Sequence, residues 1–392
     1  MKPSRPLSIA AIYLAGFVQG AAFVLIPALG NTLTAAPYHF SASAYAFLFL
    51  PQTVGAILGA ALAGFIQQRL DMARLFRLGL GSNLLAMLLL LAASHGPAPM
   101  AYPLFLGDSL FMGLGFGWTL AAINHYSAIF FSQSASTAIT LLNALIGGAT
   151  ALSPLILTAI QVHGNWGIWP LVLAAGFILA GLPYLPKTGG DTQLSFWPRQ
   201  LSPYFFMVLI YAVCEGSFGS WASVYLSKDQ HLGNHAGTLA LSAFWGSMTL
   251  FRTLLAPLPE HMISRRTLLL ASATGMMACF ALLPWLSGVD ALIGAFAFAG
   301  ASCSIYYPFT MALGLANFEK EKTQVAGLMV AALMIGEGLG SYGLGWLQSL
   351  QPLSHIYLVS ALWGIPLLIG GWHISTRTQT VNEPGLPGGN KP

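Results

Sequence analysis

Charge is what this 392-residue chain has least of: Asp, Glu, Lys and Arg together make up 7% of it. Soluble domains carry roughly 25%, so the composition argues against a water-soluble globule. Cysteine is scarce as well. Cys214, Cys279 and Cys303 stand in apolar runs with no paired spacing, which leaves no disulfide framework and no paired-cysteine metal site. The basic residues are scattered singly or in short pairs, so no patch exists that could follow a phosphate backbone, and nucleic acid drops out as a partner. There is no H-E-x-x-H, no nucleophile elbow, and no strand ahead of the glycine run "GLGFG". The chain reads as neither an enzyme nor the carrier of a metal or cofactor.

What it has is apolar length. Hydrophobic residues make up 56%, and the mean hydropathy is +0.71. A helix crosses the hydrocarbon core with about 20 apolar residues. That ruler marks twelve spans: 8–30, 42–66, 75–95, 102–129, 136–161, 166–185, 203–227, 236–257, 266–287, 290–316, 323–347 and 353–374. The first could pass for a signal peptide, but eleven further spans favour a retained helix. With the N-terminus inside, Lys2, Arg5, Arg69, Arg74, Arg77, Lys187, Arg199, Arg252, Arg265, Arg266, Lys320, Lys322, Arg377 and Lys391 are cytoplasmic, and Lys228 alone lies outside. That asymmetry obeys the positive-inside rule. The expectation is an all-α membrane protein of twelve transmembrane helices with both termini cytoplasmic. It would be a monomer in the plasma membrane, or the inner membrane of a Gram-negative bacterium. Its partners would be the lipid bilayer and a small-molecule substrate.

The longest interior polar segment, "PKTGGDTQLSFWPRQ", divides the chain into six-helix halves. The boundaries read 1–185 for the first half, 186–201 for a cytoplasmic central loop, 202–376 for the second half and 377–392 for a disordered tail. "IGGATALSP" in span five echoes "IGEGLGSYG" in span eleven, which pairs Gly148 with Glu337. Two six-helix halves built from repeats are a transporter arrangement; twelve helices without symmetry is the other reading.

The acids inside the spans are Glu215, Glu337 and Asp108. Glu215 lies about a dozen residues into span seven, roughly 18 Å deep at 1.5 Å per residue, and Glu337 is as deep in span eleven. An ionised acid at mid-span costs about 3 kcal/mol. Protonating a Glu of ordinary pKa at pH 7 costs about 3.7 kcal/mol. The two costs are comparable, which permits proton coupling at Glu215 and Glu337; packing by hydrogen bonds is the alternative for both. Tyr211, Glu215, Phe218, Ala222 and Tyr225 fall on one helical stripe, read as a cavity wall. Asp108 is a proton-coupling candidate behind Glu215 and Glu337; it is about six residues from the outer end of span four, where it would simply reach water on the other reading. Arg252 can snorkel to the inner surface as a gate or topology residue. His125, Gln19, Asn124, Asn143 and Ser302 default to hydrogen-bonded packing between helices. Gln19, Asn124 and Asn143 are also cavity candidates, with Phe23, Tyr211, Trp118, Trp221, Trp245 and Tyr306; the aromatic ones could stack on a sugar ring or an aromatic drug.

The whole pattern resembles the major facilitator superfamily, and several segments resemble its fucose–proton symporter family. "YAVCEGSFGSWASVYL" is similar to that family's span-seven pattern through Tyr211, Glu215, Gly219, Trp221, Tyr225 and Leu226. "AFWGSMTLFRTLLAPL" matches in Trp245, Gly246 and Arg252, and "GASCSIYYPFTMALGLAN" in Ser304, Pro308 and Ala312–Gly314. "GLGFGWTLAAIN" is similar to its glycine-rich run in span four. The loop "GFIQQRLDMARLFRLG" resembles a degenerate form of the superfamily's basic loop, which would make Arg69, Arg74 and Arg77 inner-gate charges. The family's acids in spans one and four are replaced here by Phe23 and the region of Leu120. Its proton and sugar sites therefore do not carry over. Span five lacks the full glycine–proline pattern of antiporters, which favours uptake. The resemblance implies a secondary active transporter working by alternating access, taking up a sugar or similar polar metabolite with protons (sodium being the less favoured ion). The alternative is a proton-driven exporter of an amphipathic compound, a drug or a siderophore.

Overall fold

A computed structural model describes residues 4–131, 135–163, 165–187, 201–255, 263–318 and 322–381, and each of the twelve apolar runs is helical there. Span one is α1 (Arg5–Phe23), α2 (Leu25–Ala28) and α3 (Gly30–Thr34); span two is α4 (Ala42–Phe47) and α5 (Phe49–Leu70). Then follow α6 (Met72–His95), α7 (Ala98–Phe130), α8 (Ala135–His163) and α9 (Ile168–Gly181). The second half holds α10 (Ser202–Val224), continued by a π-turn to Asp229, with α11 (Gly233–Leu255) and α12 (Arg265–Leu282). Span ten is α13 (Val289–Cys303) and α14 (Tyr306–Asn317), span eleven is α15 (Lys322–Gln348), and span twelve is α16 (Leu353–Ser360) and α17 (Gly364–Val381).

Ten helices among the described residues are long and apolar enough to cross a membrane. The other two runs are α9, with only 14 residues, and α11, which carries Thr238, Ser242, Ser247, Thr249, Arg252 and Thr253. Most of the central loop, 188–200, and the tail from 382 lie outside the described residues, while α17 runs on to Val381, into the segment read as tail.

Hydrogen bonds fix which helix ends lie together. Arg5 donates to the Phe130 carbonyl (2.6 Å) and Ser8 to the Tyr184 carbonyl (3.1 Å), which gathers the start of α1 with the ends of α7 and α9. Asn317 donates to the Tyr204 hydroxyl (2.6 Å), joining the end of α14 to the start of α10. These mark the near end of the bundle, the end that holds the N-terminus.

The halves meet toward the far end. Tyr45 of α4 donates to the Ser220 carbonyl of α10 (3.1 Å), and its ring stands edge-on to Trp221 at 5.2 Å. Thr158 and Thr238 share a hydrogen bond (2.9 Å), and Ser227 bonds Asn31. A cysteine pair at 158 and 238 is therefore expected to form a disulfide on mild oxidation. Mass spectrometry of the cross-linked peptides checks it.

The internal echo is present, in a register two residues away from the one read in the sequence. Thr150 bonds the carbonyls of Ile146 and Gly20 at 2.9 and 3.0 Å; Ser341 bonds those of Glu337 and Gly216 at 2.8 and 3.4 Å. Side chains at Gly20 and Gly216 would run into the Ile146 and Glu337 carbonyls respectively. Missing Cβ atoms let these backbones touch. Glu337 therefore answers to Ile146 rather than Gly148, because backbone contact sets the register and the repeated glycines do not. The carboxylate is a feature of one half only.

Candidate functional site

α10 is buried at every position from Tyr211 to Leu226, since α15, α11, α13, α14 and α17 all pack on it. Glu215 is therefore interior to the bundle and turned away from lipid. The stripe that carries it is not a cavity wall. Phe218 stacks on Phe280 at 4.0 Å, Tyr211 stacks on Tyr306 at 5.7 Å, and Tyr225 packs edge-on to Tyr357 at 5.0 Å. These rings form the core of the second half, so Tyr211 and Tyr306 are packing residues. Their hydroxyls donate to the carbonyls of Cys303 (2.8 Å) and Leu367 (2.7 Å).

The break between α13 and α14 explains how Arg252 is held. Pro308 has no N–H to offer the Ser304 carbonyl four residues back. Arg252 of α11 takes that acceptor through Nε at 3.1 Å, and an Nη contacts Met248 Sδ at 3.3 Å. The guanidinium is thus pulled inward instead of snorkelling out. Its charge is among those that act on Glu215 of α10, as are the Tyr211 hydroxyl and the Glu337 carboxylate of α15.

Glu337, half-buried, faces a cavity between the halves. Phe23, Val24 and Pro27 line it from span one, Phe49, Gln52, Thr53 and Ala56 from span two, and Gly219 and Ser220 from α10. Trp245 of α11 and Met334, Gly338 and Ser341 of α15 complete the wall. The indole N–H of Trp245 is buried without a partner. The cavity is small, about 30 Å³, enough for one or two waters. Two roomier cavities lie toward the near end. One of about 200 Å³ includes Ala56, Phe116, Asn124 and Met334, and one of about 220 Å³ includes Asn143, Thr249, Arg252 and Tyr307.

Of the residues singled out in the sequence, Phe23, Trp245 and Glu337 line the central cavity, and Asn124, Asn143 and Arg252 line the near-end ones. Gln19 does not. It is fully buried within the first half, where it accepts from Asn83 and meets Met112 Sδ at 3.5 Å. Trp221 also leaves the cavity list: its indole donates to the Ser341 carbonyl (2.8 Å) in the far-end seam. Trp118 packs partly buried in α7 and lines none of the three cavities.

Asp108 does not reach water. α7 begins ten residues earlier than it, at Ala98, and the side chain is 2% exposed with Oδ1 unpartnered. Arg74 pairs with Asp71 of its own half at 3.9 Å, and Arg77 lies over the Tyr184 ring at 5.8 Å. The side chain of Arg69 is outside the described residues. Gln52, Thr53 and Ser341 escaped the reading of the sequence, since single uncharged polar residues in a span give no signal of which way they face.

The arrangement is similar in fold to solved transporters. Residues 204–392 match the sequence model of the Major Facilitator Superfamily. No curated protein matches the chain by sequence. Among solved structures, a mutant form of the nucleoside transporter NupG superposes with a TM-score of 0.76 at 13% identity, over 94% of this chain and 99% of its own. A D-xylose–proton symporter follows at 0.75 and 14%, over 95% and 97%. FucP, a Major Facilitator Superfamily transporter in the outward conformation, gives 0.64 and 16%, over 94% and 98%. The chain thus resembles major facilitator transporters in fold over nearly its full length and in sequence over its second half.

Proposed function

We propose that the chain is a secondary active transporter that takes up a sugar or similar small polar metabolite together with protons. The observation that carries this reading is the charge interaction of Glu215 with Arg252 and Glu337 in the interior, with Glu337 at the wall of a cavity between two halves. A carboxylate there can bind a proton and meet cargo in turn. The remaining wall offers aromatic faces from Phe23, Phe49 and Trp245 and hydrogen-bonding groups from Gln52, Thr53 and Ser220, which suits a ring that bears hydroxyls. The nucleoside and xylose carriers of the same fold support a cargo of that size. The chain would cross the membrane twelve times, with the near end, where Arg5, Arg74, Arg77 and Arg266 gather, in the cytoplasm.

A second reading, export of an amphipathic compound against protons, draws on the apolar part of the same wall. Vesicle flux separates the two. Purified protein in liposomes with an imposed pH gradient is offered labelled xylose, fucose and uridine. Accumulation of one of them with the inward proton flow supports uptake. Accumulation against that flow supports export, and no gradient-dependent movement of any of them removes the uptake reading for these cargoes.

A further inference from the structure

The near-end cavity around Arg252 has a chemistry of its own. It lies between the halves, with Asn143 and Ala144 of α8 on one side and Thr249, Arg252, Thr253, Tyr307, Pro308 and Met311 on the other. The polar groups that face it and have hydrogens left to give are donors. Arg252 uses Nε on the Ser304 carbonyl and one Nη on a sulfur. A guanidinium has five N–H groups, so donors remain for the cavity. Among the described residues Arg252 makes no ion pair. Asn143 donates one amide hydrogen to the Ile139 carbonyl and keeps the other. Thr249 and Thr253 spend their hydroxyls on carbonyls one turn back, at 2.9 and 2.8 Å. Among the described residues no carboxylate lines the space.

From this geometry we infer that the cavity is a binding site for a small oxyanion, a carboxylate or a tetrahedral anion, held by Arg252 and Asn143 from opposite halves. Arginine binds such groups through paired N–H donors. Bound anion joins the two halves at the near end and holds that end as it stands here. The site is distinct from the central cavity, and it stands whether or not the protein carries a sugar.

Calorimetric titration of the purified full chain with sodium lactate and with sodium sulfate, at pH 7 and fixed sodium concentration, tests it. Both probes keep their charge at that pH. Saturable binding of at least one is expected, with loss of about tenfold or more in affinity in R252Q. Partial retention is expected in R252K, and weakening of a few-fold in N143A. Binding of lactate alone identifies a carboxylate site, and binding of sulfate alone a phosphate-like one. Absence of saturable binding by both probes overturns the site. So does equal binding by R252Q and the wild type, with folding checked by R252K on the same column. Sugar flux in liposomes is a separate measurement, so failure of one reading leaves the other standing.

Discussion

Glu337→Gln protein, reconstituted in liposomes, is expected to exchange cargo across the membrane yet fail to concentrate it. With one proton moved per cargo molecule, each pH unit of gradient supports about a tenfold accumulation, since 1.36 kcal/mol is a factor of ten. The glutamine keeps the size and hydrogen bonding of the side chain and cannot release a proton. The ratio of inside to outside cargo should therefore fall from about ten to about one per pH unit, with exchange of labelled for unlabelled cargo largely preserved. Glu215→Gln should lose accumulation as well, because the two carboxylates share one electrostatic neighbourhood with Arg252. Full gradient-driven uptake in the Glu337 variant would reduce that residue to a packing role. Loss of exchange together with accumulation would instead point to a direct cargo contact or a damaged fold, which a thermal melt of the purified variant resolves.

The second large effect is structural. Gly216→Ala places a methyl group against the Glu337 carbonyl, where helix α15 leaves no room. Overpacking of this kind costs about 1–3 kcal/mol. Here it also pushes the backbone that carries Glu337 and weakens the bond from Ser341 to the Gly216 carbonyl. A lower melting temperature in detergent is expected, together with reduced transport. Gly20→Ala is its counterpart in the first half, against the Ile146 carbonyl, and should destabilise to a similar extent. That second variant leaves Glu337 in place, so a larger transport defect in the Gly216 variant measures the part owed to the displaced carboxylate. Equal melting temperatures for Gly216→Ala and the wild type would show that α15 yields without cost.

Most of the architecture could be read from the chain, because lipid forces it. A run of about 20 apolar residues has few options but a helix, so every span came out helical. The finer features were out of reach wherever partner choice decides. Trp221 and Trp245 lie on neighbouring helices in similar apolar runs; one turns to the Ser341 carbonyl in the seam and the other to the cavity. Gln19 reads as a cavity residue until Asn83 supplies a partner inside the first half. Neither outcome has a sequence period. Asp108 was misplaced because hydropathy shows the apolar core of a helix and misses its start: Pro97 and Pro103 both stand near the beginning of α7, yet the helix runs through the second of them. Arg252 was the most instructive case. Its inward turn follows from Pro308, 56 residues away, whose missing N–H leaves a carbonyl to be claimed. Glu215 and Glu337 stand out in the sequence as anomalies of charge, and only the structure places the second at the cavity.

The seam at the far end is made of hydroxyls, an amide, backbone carbonyls and ring edges, with no charged group in the bonds of Tyr45, Thr158 and Ser227. Water replaces such partners readily once the surfaces part, so the seam is a weak adhesive. A latch built from ion pairs would loosen as ionic strength rises, over a screening length of about 10 Å at 0.1 M. These three bonds carry no charge to screen. Release at the far end should therefore run at the same rate in dilute buffer and in brine, whatever salt does to the arginine-bearing end.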